Sequence, residues 1–501
     1  MKKAIFALLP LLMFSAGCST YSYRKGMDKI HPAYAAGDFN DALDVTTKQI
    51  EGEASSPLVW QLNHAAILQA AGDHETAGEA WDNTLPLFDD LWQNERGLLA
   101  KSALAMLPAN LGNDTYYARP HEGVMLYTYA MLNAWQRGDM DEARRLIACL
   151  ITFRDQVFME IEARVEKRKG ADNASLAQST TEDGLNNSTQ DTSAVRDSSN
   201  EVAGFLMEDI EKRRQDELRE DLEGYANYAN PLAGFLTYLF LKTQGTGLYL
   251  TDINTAKREL DELGVFAPRN SVVAGAAANN WEVIADDSLN NSVFVFFETG
   301  LAPAQKEVRY DIPLPGGFVT KWFPSHAGVA YPKLERNSNY VPKLFVSASG
   351  QQQVEAEPLA NFDAVVQQSF DDEWPAVLAR QIAQSVVAVT VNAALNYAGN
   401  SAAKNVKNVY AKAGATIGTG LVAGLLSYAM INADERSWEL LPKQVHVARL
   451  DIPENREITL SFPDGTWRQD ITLGAGDVMA VWVKSTSPWQ GAPLATQFKL
   501  K

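Results

Sequence analysis

A six-residue motif, Gly-Asp-x-x-x-Ala, occurs three times in the first half of this 501-residue chain and constrains its fold most strongly. The copies begin at Gly37, Gly72 and Gly138, so the first gap is 35 residues and the second is 66, close to twice a unit of about 34 residues. Glycine adopts the backbone conformation of a tight turn without steric cost, and the small alanine lets two helices approach closely. The motif therefore predicts pairs of packed helices joined at a glycine.

Apolar residues on both sides of these turns recur at helical spacing. The motif and its spacing resemble the tetratricopeptide repeat, which implies a solenoid over residues 28–169 that continues over residues 201–279. A repeat expected near residues 90–120 is degenerate, because Pro108 and Pro120 interrupt its pattern. The resemblance also implies a concave groove, lined by the first helix of each pair, that binds a protein partner. The candidate groove residues are Trp60, His64, Tyr127 and Trp135.

A polar segment, residues 170–200, divides the helical region. It is dominated by Ser, Thr, Asn, Asp, Gln and Gly, so it has too few apolar side chains to bury and is expected to be disordered. Residues 140–168 and 201–224 on either side carry charge-rich helical patterns, which predict two solvated antiparallel arms, with a binding role as the alternative. Beyond them, the patterns of residues 230–239 and 253–263 predict one more helix pair.

The first 18 residues have the layout of a secretory signal that ends in a cysteine. Lys2 and Lys3 precede an apolar run over residues 4–14, which is too short to span a bilayer. The small residues at positions 15–17 and Cys18 resemble the lipobox of bacterial lipoproteins, although a serine stands where leucine is usual. An ordinary signal peptide followed by a coincidental cysteine is the alternative.

The lipobox resemblance implies a location. Residues 1–17 would be removed as the signal peptide, Cys18 would carry acyl chains such as palmitate, and residues 18–27 would form a lipidated tether. More than one chain gives stable anchoring, whereas a single chain binds only marginally. The residue after the cysteine is Ser19 and not aspartate, which implies the outer membrane, with the protein facing the periplasm.

The chain is strongly acidic, with 62 acidic and 44 basic side chains and a formal charge of −18. Loss of the two signal-peptide lysines leaves 42 basic side chains and a charge of −20. A surface of this charge repels nucleic acid and anionic lipid headgroups, so neither is an expected partner of the main body. A basic or neutral periplasmic protein fits better.

Past residue 280 the apolar period changes from about 3.6 to 2. The alternation predicts a β-sandwich-like domain in two parts, residues 280–362 and 434–501. Strands are expected over residues 292–298, 307–312, 341–347, 444–451, 457–462, 466–473 and 477–485. The charged residues Glu298, Arg309 and Asp311 are expected in ion pairs at a sheet edge.

Residues 363–433 interrupt this β pattern and predict a helical hairpin, with helices over residues 363–397 and 402–433 and a kink or restart at Pro375. Residues 413–431 contain no charge and carry glycines at small-xxx-small spacing. Three interpretations stay open: a packed soluble hairpin, an oligomer interface and a membrane insert. The candidate helix-packing residues are Gly414, Gly418, Gly420 and Gly424. The predicted fold class is therefore α+β: a tetratricopeptide-like solenoid followed by a β-sandwich-like domain that a glycine-zipper hairpin interrupts.

Several segments in the second half are similar to an uncharacterised family of Gram-negative outer-membrane lipoproteins with an N-terminal helical-repeat region. They occupy residues 294–303, 308–314, 329–334, 360–370, 435–442 and 447–450. The resemblance runs over roughly residues 18–485 and implies fold and location. Family members have no established reaction, and their genes stand beside those of lipoproteins that activate penicillin-binding proteins, which implies a setting in peptidoglycan synthesis.

No phosphate-binding loop, nucleophile elbow or metal-spaced histidine pair is present in the sequence. Ser325 and His326 are adjacent, but neighbouring residues rarely align for proton transfer, so a loop packed under the sheet is expected there. The leading hypothesis is a non-enzymatic scaffold without cofactor or metal, anchored through Cys18. The alternative is an assembly, a membrane-associated ring or pore, that forms a homo-oligomer through the glycine-zipper hairpin.

Overall fold

The computed structural model describes residues 18–52, 56–101, 115–169, 193–217, 230–244, 250–278, 289–314, 326–404 and 431–501. Over these residues the protein is a mixed α+β structure, which confirms the predicted class. Helices form the first half. They are α1 (Cys18–Ala36), α2 (Phe39–Glu51), α3 (Pro57–Ala71), α4 (His74–Lys101), α5 (Pro120–Gln136), α6 (Met140–Lys169), α7 (Ser193–Glu217), α8 (Pro231–Gln244), α9 (Leu250–Phe266) and α10 (Ser271–Ala278).

The three motif glycines form turns of one geometry. Gly37, Gly72 and Gly138 have φ angles of 83°, 78° and 79°, which only glycine adopts at little cost. At each turn the amide of the following aspartate donates to the carbonyl five residues earlier, over 2.8, 3.2 and 2.9 Å, as in a Schellman helix end. The motif alanines of all three copies are 0% exposed. The predicted turns are therefore confirmed.

The helices pack as consecutive pairs, α1 with α2, α3 with α4, α5 with α6, and α8 with α9. The last of these is the additional pair expected after residue 230. Residues 18–27, which were predicted as a lipidated tether, form the first half of α1. The degenerate repeat near residues 90–120 is not a helix pair in the described residues: α4 continues to Lys101, and Pro120 is the first residue of α5.

Helix α7 differs from the prediction of a solvated arm. Its apolar face, with Val202, Leu206 and Ile210 each at most 1% exposed, packs in one core cluster with a later helix, α11 (Phe362–Lys404), and with the hairpin of strands β2 and β3 given below. The charge-rich composition concealed this face, because three apolar residues at spacings of four are enough to dock a helix. The arm prediction for residues 201–224 was therefore wrong over the described part of α7.

Eleven strands occur within the described residues and form three sheets. Their bounds are β1 (Ser292–Thr299), β2 (Ala304–Pro313), β3 (His326–Glu335), β4 (Phe345–Ala348), β5 (Val354–Glu355), β6 (Glu357–Asn361), β7 (Gln444–Asp451), β8 (Glu457–Ser461), β9 (Arg468–Thr472), β10 (Val478–Ser485) and β11 (Leu494–Lys499). The five-stranded sheet has the order β11-β10-β1-β7-β6, with β1 parallel to β10 and antiparallel to β7. A four-stranded sheet has the order β5-β4-β8-β9, and β2 and β3 form a hairpin.

The two faces of the five-stranded sheet belong to different cores. Alternate residues of β1, Phe294 and Phe296, join the helices in one cluster that extends from Tyr23 to Leu500. The residues between them, Val295 and Phe297, join the four-stranded sheet in a second cluster. The helical and β halves therefore share a hydrophobic core. The change of apolar period near residue 280 marks the change from helices to strands and does not mark a boundary between two cores.

Four strands were not predicted. Strand β3 includes His326, so the loop expected at that residue was wrong; β3 lies against α11 and is paired along its length with β2. Strands β5 and β6 are short, and β11, with the sequence LATQFK, carries little alternation to recognise. These strands exist because tertiary neighbours complete them.

The predicted helical hairpin is described only in its first half. Helix α11 continues through Pro375 without the predicted restart and extends to Lys404, so it includes residues assigned to the second helix. Residues 431–433, which were predicted as the end of the second helix, are irregular. Gly414, Gly418, Gly420 and Gly424 lie outside the described residues.

Candidate functional site

Helix α1 begins at Cys18 and is fixed to the body five residues later. Tyr23 and Met27 are at most 1% exposed. A Cβ atom on Gly26 would lie 2.4 Å from Cη2 of Trp60 on α3, so only glycine fits where the two helices touch. The proposed attachment point of the lipid is therefore separated from the packed core by little more than one helical turn.

A buried carboxylate, Glu439, holds the same end of α1. It accepts a hydrogen bond from Arg24 Nη2 over 2.6 Å, and His31 Nε2 lies 2.7 Å from its second oxygen. The Tyr23 hydroxyl donates to the carbonyl of Ser437 over 2.5 Å. Burial alone would raise the pKa of Glu439, but the hydrogen bonds and charges of His31 and Arg24 outweigh it and lower that pKa. The ionised carboxylate thus ties α1 to the segment before β7.

That segment, residues 434–439, is a wedge of charged residues among the helices. Arg436 is 1% exposed and makes two hydrogen bonds of 2.8 Å to the Asp434 carboxylate. Burial favours neutral Asp434, but Arg436 outweighs it and holds the pKa of Asp434 at about 2. Arg119, at the start of α5, donates to the Arg436 carbonyl over 3.0 Å. The wedge, which we define as residues 434–439, therefore joins α1 and α5.

A second buried carboxylate, Glu122 on α5, completes this junction. One oxygen accepts from the Trp438 amide over 2.7 Å, and the other accepts from the Arg119 amide over 2.7 Å and the Tyr116 hydroxyl over 2.5 Å. Burial raises the pKa of the Tyr116 hydroxyl, and the charge of Glu122 raises it further, so the hydroxyl remains a donor. Glu122 therefore binds both the start of α5 and the wedge.

A third buried charge lies where the helices meet the sheet. Glu298 of β1 and Lys484 of β10 are directly paired across the two strands, with Nζ 2.8 Å from Oε2. The Tyr129 hydroxyl of α5 donates to Glu298 Oε1 over 2.6 Å. Burial lowers the pKa of Lys484, but the carboxylate outweighs burial and raises it. Glu298 is therefore in a central strand, and its prediction as an edge residue was wrong.

These three buried carboxylates stabilise the packing of distant elements against one another. Glu439, Glu122 and Glu298 are each at most 1% exposed, and each accepts donors from elements far apart in sequence. A carboxylate with two or three donors is stabilised in its buried position, whereas removal of a donor leaves an uncompensated charge. The cluster fixes α1 and α5 to the β half.

The two tryptophans among the four candidate groove residues are in the core. Trp60 is 2% exposed and lies against Tyr23, with ring centroids 5.4 Å apart. Trp135 is 1% exposed and contacts Phe240 and Phe498, the latter on β11. The groove prediction is wrong for these side chains, because α1 covers Trp60, and α8 and β11 cover Trp135.

The other two candidates bind within the helical region. Tyr127 is 6% exposed and donates its hydroxyl to Asp89 Oδ1 of α4 over 2.5 Å. His64 is half-buried, with Nδ1 2.8 Å from the Thr46 hydroxyl of α2, and burial lowers its pKa. Both side chains join neighbouring helices, and Tyr127 presents almost no surface to a partner.

Sequence reasoning missed Tyr23, Arg119, Glu122 and the pairing partners of Glu439. The available signal was the cluster of charged residues around Trp438, which stands between apolar segments without the Gly, Pro or Asn of a surface loop. Such a segment has to bury its charges or expose a tryptophan. Which carboxylate meets which arginine depends on contacts more than 300 residues apart and has no local pattern.

Within the described ranges, no group of three or more His, Cys, Asp or Glu side chains is arranged to hold a metal ion. None of the helices in those ranges has the length and hydropathy that a bilayer span requires. No protein-family model, curated protein or solved structure matches the chain.

Proposed function

We propose that this chain is a lipoprotein held on the periplasmic side of the outer membrane by acyl chains on Cys18, and that it acts there as a non-enzymatic scaffold for a cell-envelope protein in peptidoglycan synthesis. We also propose that its helix pairs are a tetratricopeptide-like solenoid and its two packed sheets a β-sandwich-like domain. The start of α1 at Cys18, with Tyr23 already buried, carries the proposal, since an anchor there positions the whole folded body.

The surface that we assign to the partner is the outer side of the second helices. The first helices α3, α5 and α8 are buried almost all round, whereas α4 exposes Glu75, Glu79, Asp82 and Asp89 on one side. On α2, Asp41 and Asp44 are exposed in the same way. An acidic surface of this kind attracts basic partners and repels acidic ones. A basic or neutral envelope protein is therefore the expected partner.

The anchor and the surface need separate tests. For the anchor, Cys18→Ser should move the mature protein from the membrane fraction to the soluble fraction and abolish fatty-acid labelling. Retention in the same membrane fraction without any change of labelling would refute lipidation at this residue. Because the Cys18 position precedes the buried part of α1, the variant should unfold at the same denaturant concentration as the wild type.

For the surface, the lipoprotein is purified from crosslinked cells with Glu75, Glu79 and Asp82 all changed to Lys. A matched control changes Glu201, Glu208 and Asp261, which are exposed on α7 and α9, to Lys. Both triples shift the formal charge equally. We expect the α4 triple to lose a specific crosslinked partner that the control retains. Equal recovery of the partner by both would exclude this surface.

A further inference from the structure

The exposed side of α1 is basic in an otherwise acidic protein. Lys25, Asp28, Lys29 and Pro32 are exposed and form a stripe at spacings of three and four residues, which we call the α1 face. It carries two positive charges and one negative charge. The exposed stripes of α2 and α4 described above are predominantly acidic. The α1 face therefore has a net charge of +1 in a protein whose formal net charge is −18.

Helical geometry places the proposed anchor on this same side. Positions 18, 25 and 32 are seven residues apart, close to two full turns, so they lie on one side of α1. Position 18 is therefore two turns before Lys25 along the same side of the helix backbone, and an anchor at this position would lie close to the α1 face.

The reach of the anchor is short. Tyr23 is buried, and the five residues back to position 18 rise about 7.5 Å along the helix. Even a fully extended segment of five residues spans only about 18 Å. The headgroup layer on one side of a bilayer is roughly 5–8 Å thick. A body attached this closely has to rest on the headgroups.

We propose that the α1 face lies against an anionic lipid surface, so that Lys25 and Lys29 beside the anchor orient the protein on the membrane. The proposal rests on the lipid anchor at Cys18. Acyl chains together with nearby basic side chains give firmer attachment than chains alone. The acidic net charge predicts that the main body of the protein repels anionic lipid headgroups. The α1 face is basic, so this repulsion does not apply to it.

Lysine acylation tests the proposal with the wild-type chain. The lipidated protein, reconstituted in vesicles of phosphatidylethanolamine and phosphatidylglycerol, is compared with the soluble Cys18→Ser form. We expect labelling of Lys25 and Lys29 to slow several-fold in vesicles. Labelling of the exposed Lys257 on α9 and Lys499 on β11 should be unchanged. If the protein floats with the vesicles and all four lysines label as in the soluble form, the orientation is wrong while the anchor stands. If it does not float, the anchor fails and the proposal with it.

A charge-reversal pair provides a second measurement. A fluorophore on Asp28→Cys, in a Cys149→Ser background, should be quenched by nitroxide headgroup lipids, whereas one on Asp261→Cys should not. Adding K25E and K29E should reduce the quenching at position 28. Adding K257E and K499E, which shifts the formal charge equally, should leave it unchanged. Equal loss of quenching with both pairs would show that net charge, and not the α1 face, sets the orientation.

Discussion

In the second and third helix pairs, the first helix is buried almost all round and the second helix is exposed on one side. In α5, every side chain from Pro120 to Trp135 is buried. In α4, apolar residues on one side are buried, and Glu75 and Glu79 on the other side are exposed. A helix buried all round needs cover on two sides, and here the second helices supply one and the sheet with the wedge supplies the other. The side of the first helices that was predicted as a binding groove is therefore an interface inside the protein.

The largest expected effect is on an inner helix. Trp135→Ala removes a 1% exposed ring packed between Phe240 and Phe498, and it should lower the free energy of unfolding by about 3–5 kcal/mol. Glu79→Ala on the outer side of α4 should change it by less than about 0.5 kcal/mol. Urea unfolding followed by circular dichroism measures both. Similar losses at the two positions would contradict the distinction between inner and outer helices.

The next effect concerns the ion pair under α5. Lys484→Met leaves the Glu298 carboxylate buried with only the Tyr129 hydroxyl as donor, and it should cost about 3 kcal/mol of unfolding free energy. The double variant Lys484→Met with Glu298→Gln removes the charge and keeps an acceptor for Tyr129, so it should recover most of that loss. No recovery in the double variant would mean that lysine packing, and not the unpaired charge, causes the loss.

Two helix glycines should respond to alanine with opposite signs. Gly26→Ala on α1 places a Cβ atom 2.4 Å from Trp60, and the resulting overpacking should destabilise the protein by about 2 kcal/mol. Gly204→Ala on α7 meets no atom within 4 Å, and it should stabilise the protein by about 0.5–1 kcal/mol through helix propensity. Thermal unfolding of the two variants gives the comparison. A stabilised Gly26→Ala would show that α1 is not packed on α3.

The smallest effect is that of pH on the wedge. The folded pKa of Asp434 is about 2 against an ordinary 3.8, so its contribution is complete above about pH 4 and is lost as the pH falls through about 2. The side chain is 34% exposed, and solvent screening limits the expected loss to about 1 kcal/mol. Asp434→Asn should therefore lower the free energy of unfolding at neutral pH. It should also reduce the difference between the free energies of unfolding at neutral and at acid pH. An unchanged difference would exclude this carboxylate as the acid-sensitive group.

The features that were predicted correctly are those that depend on residues close together in the sequence. The three glycine turns follow from the conformation that glycine alone adopts cheaply, and β7 and β10 from strong alternation of apolar residues. What covers a helix is not local. The apolar stripe of α5 is equally suited to a groove and to a sheet, so the burial of Trp135 could not be predicted.

The candidate site was predicted less completely than the fold. Lipidation at Cys18 stays a prediction, and it could be made because the motif that suggests it consists of residues adjacent in sequence. Glu439 and Glu122 are single carboxylates whose sequence neighbours do not mark them. Glu439 binds Tyr23 and Glu122 binds Trp438, and each pair is separated by more than 300 residues. Strands β3 and β11 are a different case, because each pairs with the strand just before it in the chain, β2 and β10, and was missed for its weak apolar alternation.

The docking of α1 on Glu439 sets an order of events for an exported chain. A protein that crosses a membrane from its N-terminus delivers residue 18 more than 400 residues before the carboxylate that fixes α1, and β1 likewise waits for β10. Until then α1 can pack only on neighbouring helices such as α3, and its first residues stay accessible to the enzymes that the proposed cleavage and acylation require. Completion of the fold would then close this site, so we expect modification to precede folding and the finished protein to be a poor substrate for the same enzymes.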